Sequence, residues 1–392
     1  MSSPEKKKRK TTTTTPNPPV LPDDLLVSIF ARISRLYYPT LSLVSKSFRW
    51  LLSSPELYET RSLLGRSESC LYVCLQNYPS ESNHRWFTLA RKPNQTLSNT
   101  NSEKKKKKKK EPSGYVLARI PVLESPVSVF SSLASVGSNI YNIGGYPASS
   151  SVWILDCWSH TWQYGPSLRG KRKSPSASVV DGKLYVAGGC RDEDSDTYDS
   201  IEVLDPSSQI WDLVHACPQA CKGLNWNCKP TSACTIEGKL HLLFGDKGVT
   251  YEPKEGKWGT FQQELCDPWI WWSPHCAIED VLYRYESDDG AVKWYNTKDT
   301  LWRNVKGLDG LPEIACYATV ILADHGGKMA VLWDERELLP SSECKNNMIW
   351  CAVISLERRS SGEEVCGKVE WCDEVLSVPK EYDLERALSA TV

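Results

Sequence analysis

Long apolar runs are missing from this chain. No hydrophobic stretch in its 392 residues approaches the ~20 needed to cross a bilayer. The opening MSSPEKKKRKTTTTTP has no apolar centre of the kind that marks a secretory leader, so an intracellular protein is expected, in the nucleus and/or the cytoplasm. Without secretion the 15 cysteines are expected as reduced thiols, and their odd number does not suit a closed disulfide framework. Signs of catalysis are also missing. The six histidines, His84, His160, His215, His241, His275 and His325, stand in scattered contexts, with no nucleophile elbow, phosphate loop or zinc-protease helix. Cys217, Cys221, Cys228 and Cys234 are separated by three, six and five residues, not by the paired short spacing of structural zinc sites. Small buried thiols in a β-rich domain are the expectation, with no metal, no cofactor and no catalytic residue.

What is present begins with an uneven charge. The formal net charge is −1, but residues 1–110 hold 21 Lys+Arg against 8 Asp+Glu and carry +13, whereas the remainder, with 26 against 40, carries −14. Much of the excess lies in two tracts, Lys6 to Lys10 and the seven consecutive lysines Lys104 to Lys110. The first reads as an exposed peptide of the nuclear-import kind on a disordered tail, residues 1–19. The second marks a long open loop at about 93–113, because like charges repel. No aromatic residues interleave with those lysines, so nucleic-acid binding is not expected.

Residues 20–66 have helical spacing. Asp23 follows a proline and suits a helix cap, and Asp24 the positive helix end. Apolar residues recur at Leu25, Leu26, Ile29, Phe30 and Ile33, and again at Leu41, Val44, Phe48, Leu51 and Leu52. Pro39 breaks the first pattern, and Ser54-Pro55 is a cap followed by proline at the first helical position. Three such short helices bury little surface alone, so their leftover apolar side chains point to a partner. This stretch resembles an F-box in register: Leu21-Pro22-Asp23, Leu25-Leu26, Ile29, Leu41, Val44, Lys46, Phe48-Arg49, Leu52 and Ser54-Pro55. The resemblance implies docking onto the Skp-type adaptor of a cullin ubiquitin ligase, with Leu21, Pro22, Leu25, Ile29, Val44 and Phe48 at the contact. Ser45 and Phe48 stand where the family often has a cysteine and a tryptophan.

From about residue 130 the chain repeats. An acidic or amide residue precedes a tryptophan by six positions in Asp156/Trp162, Asp205/Trp211, Glu252/Trp258 and Asn296/Trp302, and the tryptophans are 49, 47 and 44 residues apart. Each unit offers four short β-rich runs, which is the signature of a propeller blade. The details resemble kelch repeats, with Gly144-Gly145 and Gly188-Gly189 ending the second strand and Phe244-Gly245 and Tyr285-Glu286 replacing them later. A further unit runs from Cys316 to Leu376, with CYATVI as its inner strand and Trp371 in the tryptophan place. Three strands between Cys70 and Ile120 lack an inner one, which LSATV (388–392) can supply. The fold expected is a small all-α F-box followed, over 67–392, by an all-β kelch propeller of six four-stranded blades closed by the C-terminal strand.

The combination resembles the plant F-box/kelch-repeat family. It implies a non-catalytic substrate receptor of an SCF-type ubiquitin ligase whose propeller binds an unknown protein to be ubiquitinated, with no membrane partner. Two other readings stay open: a kelch scaffold without ubiquitin chemistry, and a propeller oxidase, for which no cluster of metal-ligating Tyr and His is apparent. The loops joining strands two to three, and one blade to the next, share the face away from the F-box entry. Candidates for cargo contact there are Arg172, Arg191, Asp192, Trp269, Trp271 and Trp272, since aromatic and arginine anchors typify binding hot spots.

Overall fold

The computed structural model describes residues 21–77, 84–92, 114–122, 125–128, 130–190, 200–215, 232–244, 247–261, 274–336, 346–359 and 364–392. Four short helices come first: α1 (Asp23–Phe30), α2 (Tyr38–Leu41), α3 (Lys46–Leu51) and α4 (Pro55–Leu63), with a 3-10 turn at Arg35–Tyr37. Pro22, not Asp23, occupies the cap position of α1, and Asp23 and Asp24 both lie in its first turn, beside the helix's positive end. Pro39 stands in the first turn of α2, just after Tyr38, instead of ending a helix, because a missing N–H costs nothing there. Ser45 caps α3 by accepting from the Phe48 N–H at 3.0 Å.

The rest is a ring of six four-stranded antiparallel sheets. Blade 1 contains β1 (Ser69–Asn77), β2 (His84–Arg91) and β3 (Tyr115–Arg119), and blade 2 contains β4 (Ser132–Val136), β5 (Asn139–Ile143), β6 (Val152–Asp156) and β7 (Thr161–Tyr164). Blade 3 is β8 (Ser176–Val180), β9 (Lys183–Ala187), β10 (Ser200–Asp205) and β11 (Ile210–His215). Blade 4 is β12 (Ser232–Ile236), β13 (Lys239–Phe244), β14 (Lys247–Glu252) and β15 (Lys257–Phe261). Blade 5 is β16 (His275–Ile278), β17 (Val281–Glu286), β18 (Ala291–Asn296) and β19 (Leu301–Asn304). Blade 6 is β20 (Val320–Asp324), β21 (Met329–Arg336), β22 (Asn346–Arg358) and β23 (Val365–Pro379). The last strand, β24 (Tyr382–Thr391), takes the innermost place of blade 1, pairing Leu71 with Ser389 and Ser69 with Thr391. The inner strands β24, β4, β8, β12, β16 and β20 touch one another in cyclic order, so the ring is closed.

The six-residue spacing before each tryptophan is a hairpin rule. The Asp156 carboxylate accepts from the Trp158 N–H at 2.9 Å, Asp205 from Ser207 at 2.9 Å and the Asn296 side-chain oxygen from Lys298 at 3.1 Å. Four residues after each of these positions, and after Glu252, the backbone turns left-handed, at His160, Gln209, Gly256 and Thr300. The tryptophan two residues later then starts the outer strand and packs back on the preceding blade. Trp162 meets Trp86 edge-on at 5.9 Å, and the Trp211 indole N–H donates to the Pro166 carbonyl at 2.8 Å.

Trp371 breaks this pattern. It stacks on Tyr115 of blade 1 at 4.4 Å, not on blade 5. Register shifts between Ile349 and Trp350 and between Val353 and Ile354 slip β22 against β23, and a one-residue slip turns a side chain to the other face. The inner strand of that blade also lies later than CYATVI suggested, at Val320–Asp324.

The diglycines have a steric cause. A Cβ on Gly145 would lie 1.9 Å from the Ser128 hydroxyl oxygen, and one on Gly189 2.2 Å from the Lys173 carbonyl oxygen. Both residues have positive φ, and the blade-to-blade connection, through the Ser128 side chain at Gly145 and the Lys173 backbone at Gly189, occupies the place where a side chain would stand.

Candidate functional site

The exposed apolar surface of the helical region follows from α1. Leu21, Leu25 and Ile29 recur every four residues and form one ridge, 51%, 52% and 46% exposed, while Leu26 and Phe30 are buried on the inner side. Pro22 is exposed at the start of the ridge. Val44 is exposed in the turn before α3, and so are two residues that the sequence pattern did not single out, Leu43 in the same turn and Trp50 in α3. Helical spacing alone cannot separate them from core residues, because both belong to an apolar-rich run whose inner members, Leu51 and Leu52, are buried. Phe48 differs from the other expected contact residues. It is half-buried and packs edge-on against Phe30 at 4.9 Å, so much of its ring holds α3 to α1.

This helical unit does not hang from the ring by a linker. Its buried residues Phe30, Tyr38, Leu52, Leu57 and Tyr58 form one apolar cluster with Tyr72, Trp86, Leu155 and Cys157 of blades 1 and 2. Tyr58 stacks flat on Trp158 at 5.3 Å. Two buried arginines fix the polar side of the contact. Arg35 donates to the Tyr58 hydroxyl, to the Cys157 carbonyl at 3.1 Å and to the Tyr72 hydroxyl at 3.4 Å. Arg61 donates to the Ile33 carbonyl at 2.7 Å and the Arg66 carbonyl at 2.6 Å, and pairs with Glu68 at 3.4 Å. Glu68 also accepts from the Arg35 backbone N–H at 2.9 Å.

His160, in the same turn as Cys157, has its Nε2 3.3 Å from the Tyr72 hydroxyl. Burial, aided by the Arg35 guanidinium, pushes its imidazole down to about 3, so it is neutral near pH 7. Cys157 and His160 lie in the β6–β7 turn. The helices therefore sit on the face made by the turns joining strands one to two and three to four, as the chain's entry into blade 1 requires. The ends of the seven-lysine segment leave from the same side. Lys92 and Gly114 are bonded to each other at 2.8 Å, and Tyr115 and Leu36 line one small cavity.

On the opposite rim the structure corrects one expected cargo contact. Arg172 is fully buried. Its Nε donates to the Glu202 carboxylate at 2.8 Å, with neither side chain exposed, and its Nη1 donates to the Gly188 carbonyl at 2.9 Å. Glu202 in turn accepts from the Arg169 backbone N–H. The pair stitches the connection between blades 2 and 3 to blade 3, so Arg172 shapes the rim without reaching solvent. Among its neighbours, Arg169 and Lys171 are exposed, and the Lys173 ammonium lies over the ring of exposed Tyr146 at 4.4 Å. Tyr146 was missed, because a tyrosine after a diglycine is indistinguishable in sequence from one that packs between blades. Arg191, Asp192, Trp269, Trp271 and Trp272 lie outside the described residues, as do Cys217, Cys221 and Cys228. No group of His, Cys, Asp and Glu among the described residues is arranged to hold a metal ion. No helix there is long and apolar enough to cross a membrane.

Comparison with known proteins agrees with this geometry. The F-box domain model matches residues 19–60, and the model described as FKB95, Kelch-repeats domain, matches residues 86–376. F-box/kelch-repeat protein At4g39550 of Arabidopsis thaliana is 53% identical over 100% of both chains. F-box/kelch-repeat protein At4g39570 of the same plant is 51% identical over 95% of this chain and 92% of its own length. F-box/kelch-repeat protein At5g51250, also from Arabidopsis thaliana, is 50% identical over 95% of this chain and 99% of its own. The chain belongs to the F-box/kelch-repeat family.

Proposed function

We propose that this protein is the substrate-recognition subunit of an SCF-type ubiquitin ligase. Joining an F-box to a kelch propeller suits such a receptor in general. The observation that carries the reading for this chain is the ridge of Leu21, Leu25 and Ile29, continued by Val44. It exposes large aliphatic side chains, with Leu43 and Trp50 exposed beside it, on a unit whose Leu26, Phe30, Leu52, Leu57 and Tyr58 are buried toward the ring. Aliphatic surface of this kind is covered when a Skp-type adaptor docks, with a cullin following through the adaptor. The propeller then holds a protein target on the far rim. The receptor itself catalyses nothing. It raises the concentration of target lysines near a charged conjugating enzyme, and its buried junction keeps the distance between the two docking surfaces fixed.

The test is co-purification from plant cells. A Skp-type adaptor and a cullin should accompany the wild-type chain and be lost with Leu25→Ala/Ile29→Ala, whose melting temperature should change little, because both side chains are about half exposed. Retention of the adaptor by that variant, or failure of the wild type to bring it down, rejects the reading and leaves a kelch scaffold without ubiquitin chemistry. The same reading puts the protein in the nucleus and/or the cytoplasm, with Lys6 to Lys10 as import signal. Replacing those five residues by alanine should then shift a fluorescent fusion out of the nucleus.

A further inference from the structure

The junction between the helices and the ring encloses a cleft of about 620 Å³, within the ~300–1,000 Å³ range of small-molecule sites. A second chamber of about 270 Å³ adjoins it, with Leu36, Glu68, Ser69, Leu89 and His325 lining both. Both bodies contribute walls. Leu52 and Tyr58 come from the helices, and Leu71, Leu89, Ile120 and Trp158 from blades 1 and 2.

The charges lining the cleft are unbalanced. Arg35, Arg49 and Arg119 line it against a single carboxylate, Glu68. Glu68 is already engaged, with Arg61, the Ser34 hydroxyl and the Arg35 backbone N–H, and Arg35 is spent on Tyr58 and Cys157. Arg49 makes one long bond, to the Ser42 carbonyl at 3.4 Å, and Arg119 has no ion pair among the described residues. The two histidines that line the cleft, His160 and His325, add no charge at neutral pH, because burial lowers both. His325 also keeps a buried Nδ1 without a hydrogen-bond partner. An apolar chamber with two uncommitted guanidinium groups suits a greasy tail with an anionic head.

We infer that this interdomain cleft is a binding site for a small amphipathic carboxylic acid, its hydrocarbon part between the helices and blades 1 and 2 and its carboxylate on Arg119 and Arg49. A bound acid would touch both bodies at once and tie the helical unit more firmly to the ring. Leu21, Leu25, Ile29 and Val44 do not line the cleft, although Leu43 beside Val44 does, and binding there does not depend on ubiquitin chemistry.

The experiment is titration calorimetry of the full chain with decanoate and with decanol, together with the thermal melt of each mixture. Saturable binding of decanoate at one site is expected, with decanol at least about tenfold weaker. Arg119→Ala should cost decanoate about tenfold in affinity, the size of a lost charge-assisted hydrogen bond, and leave decanol unchanged. Ser53→Trp fills the cleft from its exposed lip and should abolish binding of both with little change in the unliganded melt. Equal binding of decanoate and decanol, no saturable binding of either, or decanoate affinity indifferent to Arg119→Ala each overturns the inference. So does binding that appears only once residues 93–113 are deleted, since the cleft would then belong to the chain's own segment.

Discussion

Buried arginines secure both faces of the ring, and the two faces are secured in different ways. On the free rim Arg172 meets a fully buried carboxylate, Glu202, and a carbonyl. At the helical junction the Arg35 guanidinium meets hydroxyls and a carbonyl but no carboxylate, and the second buried arginine, Arg61, pairs with a partly exposed one, Glu68. A buried ion pair is costly to form and still costlier to half-remove, because the surviving charge has nowhere to go. Arg35 can be removed without stranding an opposite charge, and the groups it served keep one partner each, Tyr58 still donating to the Leu52 carbonyl and Tyr72 to the Cys157 carbonyl. The rim is thus built on an all-or-nothing contact, and the junction on several modest ones backed by a shared apolar cluster.

The sharpest way to break that contrast is Glu202→Ala, which leaves the Arg172 guanidinium buried and unpaired and should cost about 3–5 kcal/mol in a denaturant melt. Replacing both partners, Arg172→Met with Glu202→Leu, should recover most of the loss. If the double variant is as unstable as the single, the pair is not the unit that holds the rim. Next in size is deletion of 389–392. It removes three strand pairs with β1 and the buried side chains of Ala390 and Val392, worth about 2–4 kcal/mol, and should lower the melting temperature markedly. An unchanged melt would mean that the ring does not close through blade 1.

Arg35→Met should cost less than Glu202→Ala, about 1–3 kcal/mol. Its local mark should be faster amide exchange in α2 and at Cys157–His160, with blades 3 to 5 untouched. Equal losses for Arg35→Met and Glu202→Ala would erase the distinction between the faces. The smallest effect expected is acid sensitivity at the junction. The folded value of His160, about 3, lies below the ordinary 6.5, so the fold favours the neutral ring. The stability this lends is whole above about pH 6.5 and drains away as pH falls toward 3. Between pH 7 and pH 5 the loss from His160 should be about 1 kcal/mol after allowance for solvent screening, and His160→Gln should flatten that slope. His241 in blade 4, pushed down to about 4 by burial, adds the same sign of effect away from the junction.

The blade plan was legible because it is written in local rules. A strand has period two, a hairpin needs its turn residues at fixed offsets, and a ring must supply an inner strand to a blade that lacks one. Asp156, Asp205 and Asn296 announced their hairpins before any contact was known. The features that escaped depend on partners far away in sequence. The inward turn of Arg172 is decided by Glu202, thirty residues on. The reversal of Trp371 depends on two slips in pairing with β22 that leave no mark in composition. On α1 the ridge of Leu21, Leu25 and Ile29 could be read from spacing. That Phe48 would spend its ring on Phe30 could not, because which of two apolar faces meets a neighbour is settled in tertiary packing.

The seam in blade 1 imposes an order of events on synthesis. The strand β1 leaves the ribosome early with an apolar inner edge, and its partner β24 emerges after every other blade has been made. Val392 also exchanges backbone bonds with Glu68, the residue that anchors Arg35 and Arg61. Until translation reaches that strand, the seat of the helical unit is incomplete and a β edge stands open, the kind of edge on which partly made chains aggregate.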